Sequence, residues 1–130
     1  MMDEFFVKGE LIDFEFEGNT LKYKPVDAGD QLDWMPDYMD EVEEEQIVEG
    51  KKKKVTVSKV NRSKLMVCNM RNIVEMPISQ ETIKNIIDVD KPFTELSGRE
   101  KDKLFRGLGG DTFGKLRDKI SEITNHKKKD

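Results

Sequence analysis

The chain has 130 residues with 23 Lys and Arg, 27 Asp and Glu, one Cys and one His, giving a net charge of -4 and a mean hydropathy of -0.72. That length suits one domain over residues 1–130, and so many charged groups leave a modest core under a heavily solvated surface. The lone cysteine excludes a disulfide framework. With a single histidine there is no material for a zinc site or a paired nucleophile and base, so neither a metal nor a cofactor is expected.

No stretch approaches the about 20 apolar residues of a membrane span. The opening MMDEFFVKGE lacks a basic region ahead of an apolar run, so no signal peptide and no membrane are expected, and the cytoplasm is the expected location. Charge is strongly asymmetric along the chain. Residues 1–50 carry 16 acids and 3 lysines, a net of -13, and residues 51–130 carry 11 acids and 20 bases, a net of +9. In a compact chain the two halves lie within a Debye length or two, which favours acidic half against basic half over two faces offered to partners.

A period-two pattern places Ile12, Phe14 and Phe16 on one side of a strand, and Phe5 and Phe6 extend it. The Glu17–Thr20 stretch turns the chain and Leu21–Val26 alternates again, giving a hairpin over about 11–26. Asp27 caps a turn through Leu32 and Trp34. Pro36 then starts a second helix bearing Tyr38, Met39, Val42 and Ile47, with Gly50 as its stop and Lys51, Lys52, Lys53 and Lys54 beyond it. The other reading of about 40–54 is a mobile, acidic and then basic, loop.

The segment Ser58–Glu75 reads as a central helix, capped by Ser58, ended by Pro77, and apolar on several faces. Its Cys68 reads as a small buried hydrophobe. Ser79 caps a helix over Gln80–Asp88 that faces inward through Ile83, Ile86 and Ile87. Ser97 and Glu100 form a capping box ahead of Leu104, Phe105 and Leu108. Asp111 caps the last helix, whose Phe113, Leu116, Ile120 and Ile123 make the cleanest amphipathic stripe of the helical half, 58–124. Residues 125–130 read as a frayed tail. The elements sum to an α+β, mostly helical fold, with the N-terminal hairpin packed on a bundle of four to five helices.

Few motifs carry chemistry. Gly109–Lys115 matches the GxxxxGK spacing of a phosphate loop, yet Leu116 stands where a magnesium-binding Ser or Thr is required and a helix precedes it instead of a strand. The acids Asp40–Glu45 lack the spacing and glycine of a calcium loop. A non-enzymatic interaction protein is the expectation. Its partner-binding residues are Trp34, Met35 and Met39, an apolar cluster beside a proline and acids. The alternative is a nucleic-acid-binding accessory protein using the basic run 51–71, through Lys51, Lys52, Lys53, Lys54 and Arg62, with Lys59, Lys64 and Arg71 following. It ranks lower, because the pI is about 5.2 and no aromatics interleave the run.

The order of parts resembles the small tail assembly chaperones of tailed phages and proviruses over roughly Leu11–Thr124. The resemblance rests on FEFEGNTLKYKPVDAGDQLDW, then CNMRNIVEMP with its NxxxVxxP-like end from Asn69 or Asn72 to Pro77, then ETIKNIIDVDKPFTELSGREKDKLF with a DKPF, EL, REK layout over Asp90–Lys101. It implies a protein without catalysis that holds the aggregation-prone tape measure protein and helps tail-tube subunits polymerise around it, or a related baseplate role. The implied partner is a tape measure or tail protein.

Overall fold

The structure, a computed structural model, describes residues 2–7 and 9–126. Among these are five α-helices and five strands in two small sheets, an α+β chain. Strands β1 (Ile12–Phe16) and β2 (Asn19–Tyr23) are antiparallel, with Phe14 opposite Leu21. Glu17 and Gly18 join them at φ of 48° and 78°, the paired positive values of a type I′ turn, whose twist matches that of the strands it connects. Phe5 lies in a 3₁₀ turn, Asp3–Phe5, apart from β1. The hairpin does not stand alone on helices. Strand β5 (Ile73–Glu75) pairs with β2 across Tyr23 and Ile73, making a three-stranded sheet in the order β1-β2-β5.

Helix α1 (Ala28–Tyr38) begins at Asp27, as its capping chemistry predicts. Asp30 N–H donates to Asp27 Oδ1 at 2.8 Å, and Asp27 N–H donates to Asp30 Oδ2 at 3.2 Å. Pro36 lies inside this helix instead of opening a second one. Residues 40–54 form neither a helix nor a mobile loop. Strands β3 (Met39–Val48) and β4 (Lys51–Val60) pair in unbroken register from Met39 opposite Val60 to Val48 opposite Lys51. Glu49 and Gly50, at φ of 53° and 77°, form the two-residue turn between them. Gly50 therefore marks a hairpin and not a helix stop. The acidic half does meet basic residues here, as one strand laid along another.

The central helix is shorter than its apolar span suggests. Helix α2 covers Arg62–Asn69, and its cap is Asn61, whose Oδ1 accepts from Lys64 N–H at 3.1 Å. Ser58 and Val60 belong to β4. A 3₁₀ turn, Met70–Asn72, then leads into β5. Even shortened, α2 is central, since it packs on α1, α4 (Gly98–Arg106) and α5 (Gly110–His126). Helix α3 (Gln80–Ile87) is capped by Ser79 and closes on Asp88 in the left-handed conformation. Helix α4 carries the expected box: Glu100 N–H donates to Ser97 Oγ at 3.2 Å, and Ser97 N–H donates to Glu100 Oε1 at 2.9 Å. In α5 the first turn already includes Gly110, so Asp111 lies within the helix and does not cap it. Of the tail expected at 125–130, residues 125 and 126 close α5 and 127–130 lie outside the described residues.

The main core joins the sheet to the helical half through Leu21, Tyr23, Met70, Ile73, Ile83, Phe105, Leu116 and Ile120, all at most 1% exposed. A smaller cluster of Trp34, Tyr38 and Cys68 glues α1 to α2. Burial pushes the Cys68 thiol up, against a smaller opposing pull from Arg71, so this cysteine is a poor nucleophile at neutral pH.

Candidate interaction surfaces

Three surfaces emerge from this packing. The first is an apolar groove of about 320 Å³. Phe16 and Leu21 of the hairpin form one wall. Met76, Pro77 and Ile78, just after β5, form its end, and Ile86, Leu104, Phe105 and Leu108 form the far side. Glu17, Asn19, Thr82 and Thr112 give it a thin polar rim. Gly107 lets α3 and α4 close up here, because a Cβ on it would meet Ile86 Cγ2 at 2.8 Å. The stretch FEFEGNTLKY and, some 45 residues further on, the neighbouring stretches CNMRNIVEMP and ETIKNII to REKDKLF each contribute lining residues to this one groove.

The second surface is a charged cleft of about 480 Å³ between α2 and α4, floored by Val67, Cys68 and Phe113. Its carboxylates are engaged internally. Asp102 accepts from Arg71, Asp37 bridges Arg71 and Arg99 at 2.9 and 3.3 Å, and nearby Asp40 holds Lys64 at 2.7 Å. Hydrogen bonds from Lys64 first and Asn61 second hold the Asp40 carboxyl below its ordinary value. The cleft is a structural clamp with a basic rim of Lys103 and Arg106.

The third surface is the β3–β4 ribbon. It touches the body little beyond its base, and Ile47 near its tip is 76% exposed. Lys51 to Lys54 line the tip end of β4, all exposed, while Arg62 lies past the base in α2. Six residues of strand, 55–60, lie between Lys54 and Arg62, about 20 Å of ribbon. The basic run is therefore not one patch along a helix. Five carboxylates on β3 share the same ribbon.

The apolar trio predicted to bind a partner is also divided. Trp34 is only 9% exposed, locked in the smaller core, whereas Met35 is 39% exposed and Met39 is half-buried at the ribbon's base. Trp34 is thus a core residue and not a surface anchor. Period 3.6 over α1 puts Trp34 and Tyr38 on one inward face, four residues apart, with Met35 beside it, and that spacing was the signal for the burial of Trp34. The groove has no such signal, because it is assembled from residues distant in sequence. Ile86, which helical spacing turns inward with Ile83 and Ile87, instead stands 46% exposed on it.

No helix among the described residues is long and apolar enough to cross a membrane, and among them no cluster of three metal-ligating side chains occurs. Gly109 to Lys115 does not form a phosphate loop. The stretch from Gly110 is helical, and Lys115 extends toward Glu17 at 3.9 Å. No family model, curated protein or solved structure matches the chain.

Proposed function

We propose that this chain is a non-enzymatic interaction protein of the tail assembly chaperone type, acting in the cytoplasm on a tape measure or other tail protein. The observation that carries the reading is the convergence of the three resembling stretches on a single open apolar groove. A protein that shields an aggregation-prone helical partner needs apolar surface that is accessible yet rimmed by polar groups, and a helix laid in a groove is the usual way to cover it. The heavy surface charge keeps such a protein soluble while the groove is empty. The test is co-purification with a co-expressed tape measure segment. Retention in moderate salt, reduced by Ile86→Asp in the groove, is expected. Equal retention by the Ile86→Asp protein would remove the groove from the function.

A second reading, nucleic-acid binding, draws on one observation. Four lysines cluster at the end of a protruding two-stranded ribbon, a shape that a DNA major groove admits. The acidic partner strand weighs against it.

A further inference from the structure

Strand β3 carries five carboxylates, Asp40, Glu41, Glu43, Glu44 and Glu45, and no base. Strand β4 carries five lysines, Lys51 to Lys54 and Lys59, and no acid. Each strand pairs only with the other, so among the described residues both outer edges of the ribbon are free. A two-stranded ribbon that is largely exposed on both faces gains little from burial, and unpaired edge N–H and C=O groups are templates for a further strand. Edge lysines ordinarily discourage such pairing, but they do so by repelling an edge of the same sign. Here the two edges differ in sign and match in magnitude.

The register inside the ribbon leaves much of this charge unmatched. Only Asp40 with Lys59 and Glu45 with Lys54 stand directly opposite, with Glu44 also reaching Lys59, four residues along β4 from its own partner Val55. If β3 of another copy lay antiparallel beside β4, offset by two residues from the internal register, Glu43, Glu44 and Glu45 would face Lys54, Lys53 and Lys52. The main chain is ready for this. Counting the alternation of an antiparallel ladder from the Val48–Lys51 pair at the turn, the N–H groups of Lys52, Lys54, Thr56 and Ser58 point outward on one edge, and those of Glu41, Glu43 and Glu45 on the other.

We propose that the β3 edge of one copy pairs with the β4 edge of the next, so that the ribbons associate head to tail. Pairing like edges in a two-fold dimer sets five carboxylates against five, or five lysines against five, and is repelled. The favoured contact is heterologous and does not close on two subunits, so it builds short open oligomers. The matched groups are solvent-exposed, which makes the association weak and salt-sensitive.

Sedimentation velocity and light scattering across a concentration series test this. In low salt the weight-average mass should rise smoothly past twice the 15.1 kDa of the monomer and fall back in molar salt. Thr56→Pro removes one outward N–H without altering any charge, and edge strands tolerate proline; it should abolish the association. A triple variant Glu43→Lys, Glu44→Lys, Glu45→Lys and a second, Lys52→Glu, Lys53→Glu, Lys54→Glu, should each remain monomeric, while their mixture associates. A mass of 15.1 kDa at every concentration, a plateau at two subunits, or association indifferent to Thr56→Pro would overturn the proposal. So would a monomer that retards duplex DNA through the same lysines, which would assign that edge to nucleic acid.

Discussion

Arg71 grips Asp102 with two nitrogens, Nε at 3.1 Å and Nη2 at 2.6 Å, and so ties the turn after α2 to the middle of α4. Only 8% of the Arg71 side chain and 15% of that of Asp102 remain exposed. Burial opposes the guanidinium charge, but Asp102, followed by Asp37, outweighs it and holds Arg71 ionised above its ordinary value. Removing one member of a buried pair strands the other. Asp102→Ala should therefore cost about 3 kcal/mol, the low end for such pairs because Asp37 still faces Arg71. Arg71→Leu combined with Asp102→Leu should recover part of that loss. Urea unfolding of the single and double variants decides it, and an unshifted midpoint for Asp102→Ala would show that the pair contributes nothing.

Lys101 lies one residue away and is buried for a different reason. Its Nζ donates to Arg71 O at 3.0 Å and Ile73 O at 2.8 Å and lies 5.3 Å from the centre of the Phe93 ring. It thus covers the carbonyls at the join between the 3₁₀ turn and β5. Lys101→Met keeps the volume but takes this buried donor away from both carbonyls, and should cost about 2 kcal/mol. Burial also lowers the Lys101 pKa from its ordinary 10.5. Between the folded value and 10.5 the unfolded chain holds the proton that the folded chain has lost. The Lys101 contribution to stability is therefore flat below that window and rises with pH across it. Wild type should gain on Lys101→Met as pH climbs toward 10.5, in denaturation runs at a series of alkaline pH values; parallel curves would contradict this.

Leu116, fully buried in α5, is the cleanest core test. Leu116→Ala should cost about 3 kcal/mol through lost burial and the cavity left behind. A thermal midpoint within error of wild type would take α5 out of the core.

That Leu116 is legible in the sequence and β3 is not has one physical origin. Phe113, Leu116, Ile120 and Ile123 alternate apolar with polar at a helical period, so burial is written into the pattern. Asp27, Ser79 and Ser97 announce helix starts by local hydrogen bonds that need no distant partner. In β3 both faces are polar, so period two leaves no hydropathy signal, and the run of acids imitates a solvated helix. The clues that remain are Glu49-Gly50 as a two-residue turn and the β-branched Val55-Thr56-Val57. Ser58 lies in β4 opposite Glu41, so the cap falls to Asn61, whose Nδ2 also donates to Asp40 Oδ2 at 2.7 Å, a contact that exists only once the ribbon forms. The groove and the Arg71 clamp are long-range, and no local pattern encodes them.

The glycine-rich segment yields a negative expectation. Gly109 and Gly110 open a helix whose Lys115 side chain is 59% exposed beside Glu17. A ligand bound only by the folded state would raise its melting temperature. ATP with magnesium should produce no shift in wild type, and Lys115→Ala should melt as wild type does within about 0.5 kcal/mol. A saturable shift lost in Lys115→Ala would reinstate a nucleotide site.

The last expectation separates the two functional readings. Ile86 stands at the groove with 46% of its surface exposed, so Ile86→Asp changes the groove without emptying the core. If an apolar partner segment lies there, a buried carboxylate at the contact should weaken binding by about 2 kcal/mol, near thirtyfold, while Ile86→Leu restores it. Replacing Lys51 to Lys54 with glutamine, about 20–30 Å out along β4 from the ribbon's base, should change the same affinity by less than about threefold, because exposed charges are worth little. Nucleic-acid binding predicts the reverse. Each phosphate neutralised adds a slope of about -0.9 to the dependence of log affinity on log salt, so the glutamine variant should lose both affinity and slope while Ile86→Asp does nothing. Titrating a fluorescent tape measure segment and a fluorescent duplex against all three variants at two salt concentrations makes the choice. Duplex binding lost with the lysines, alongside tape measure binding indifferent to Ile86→Asp, would replace the chaperone reading with its rival.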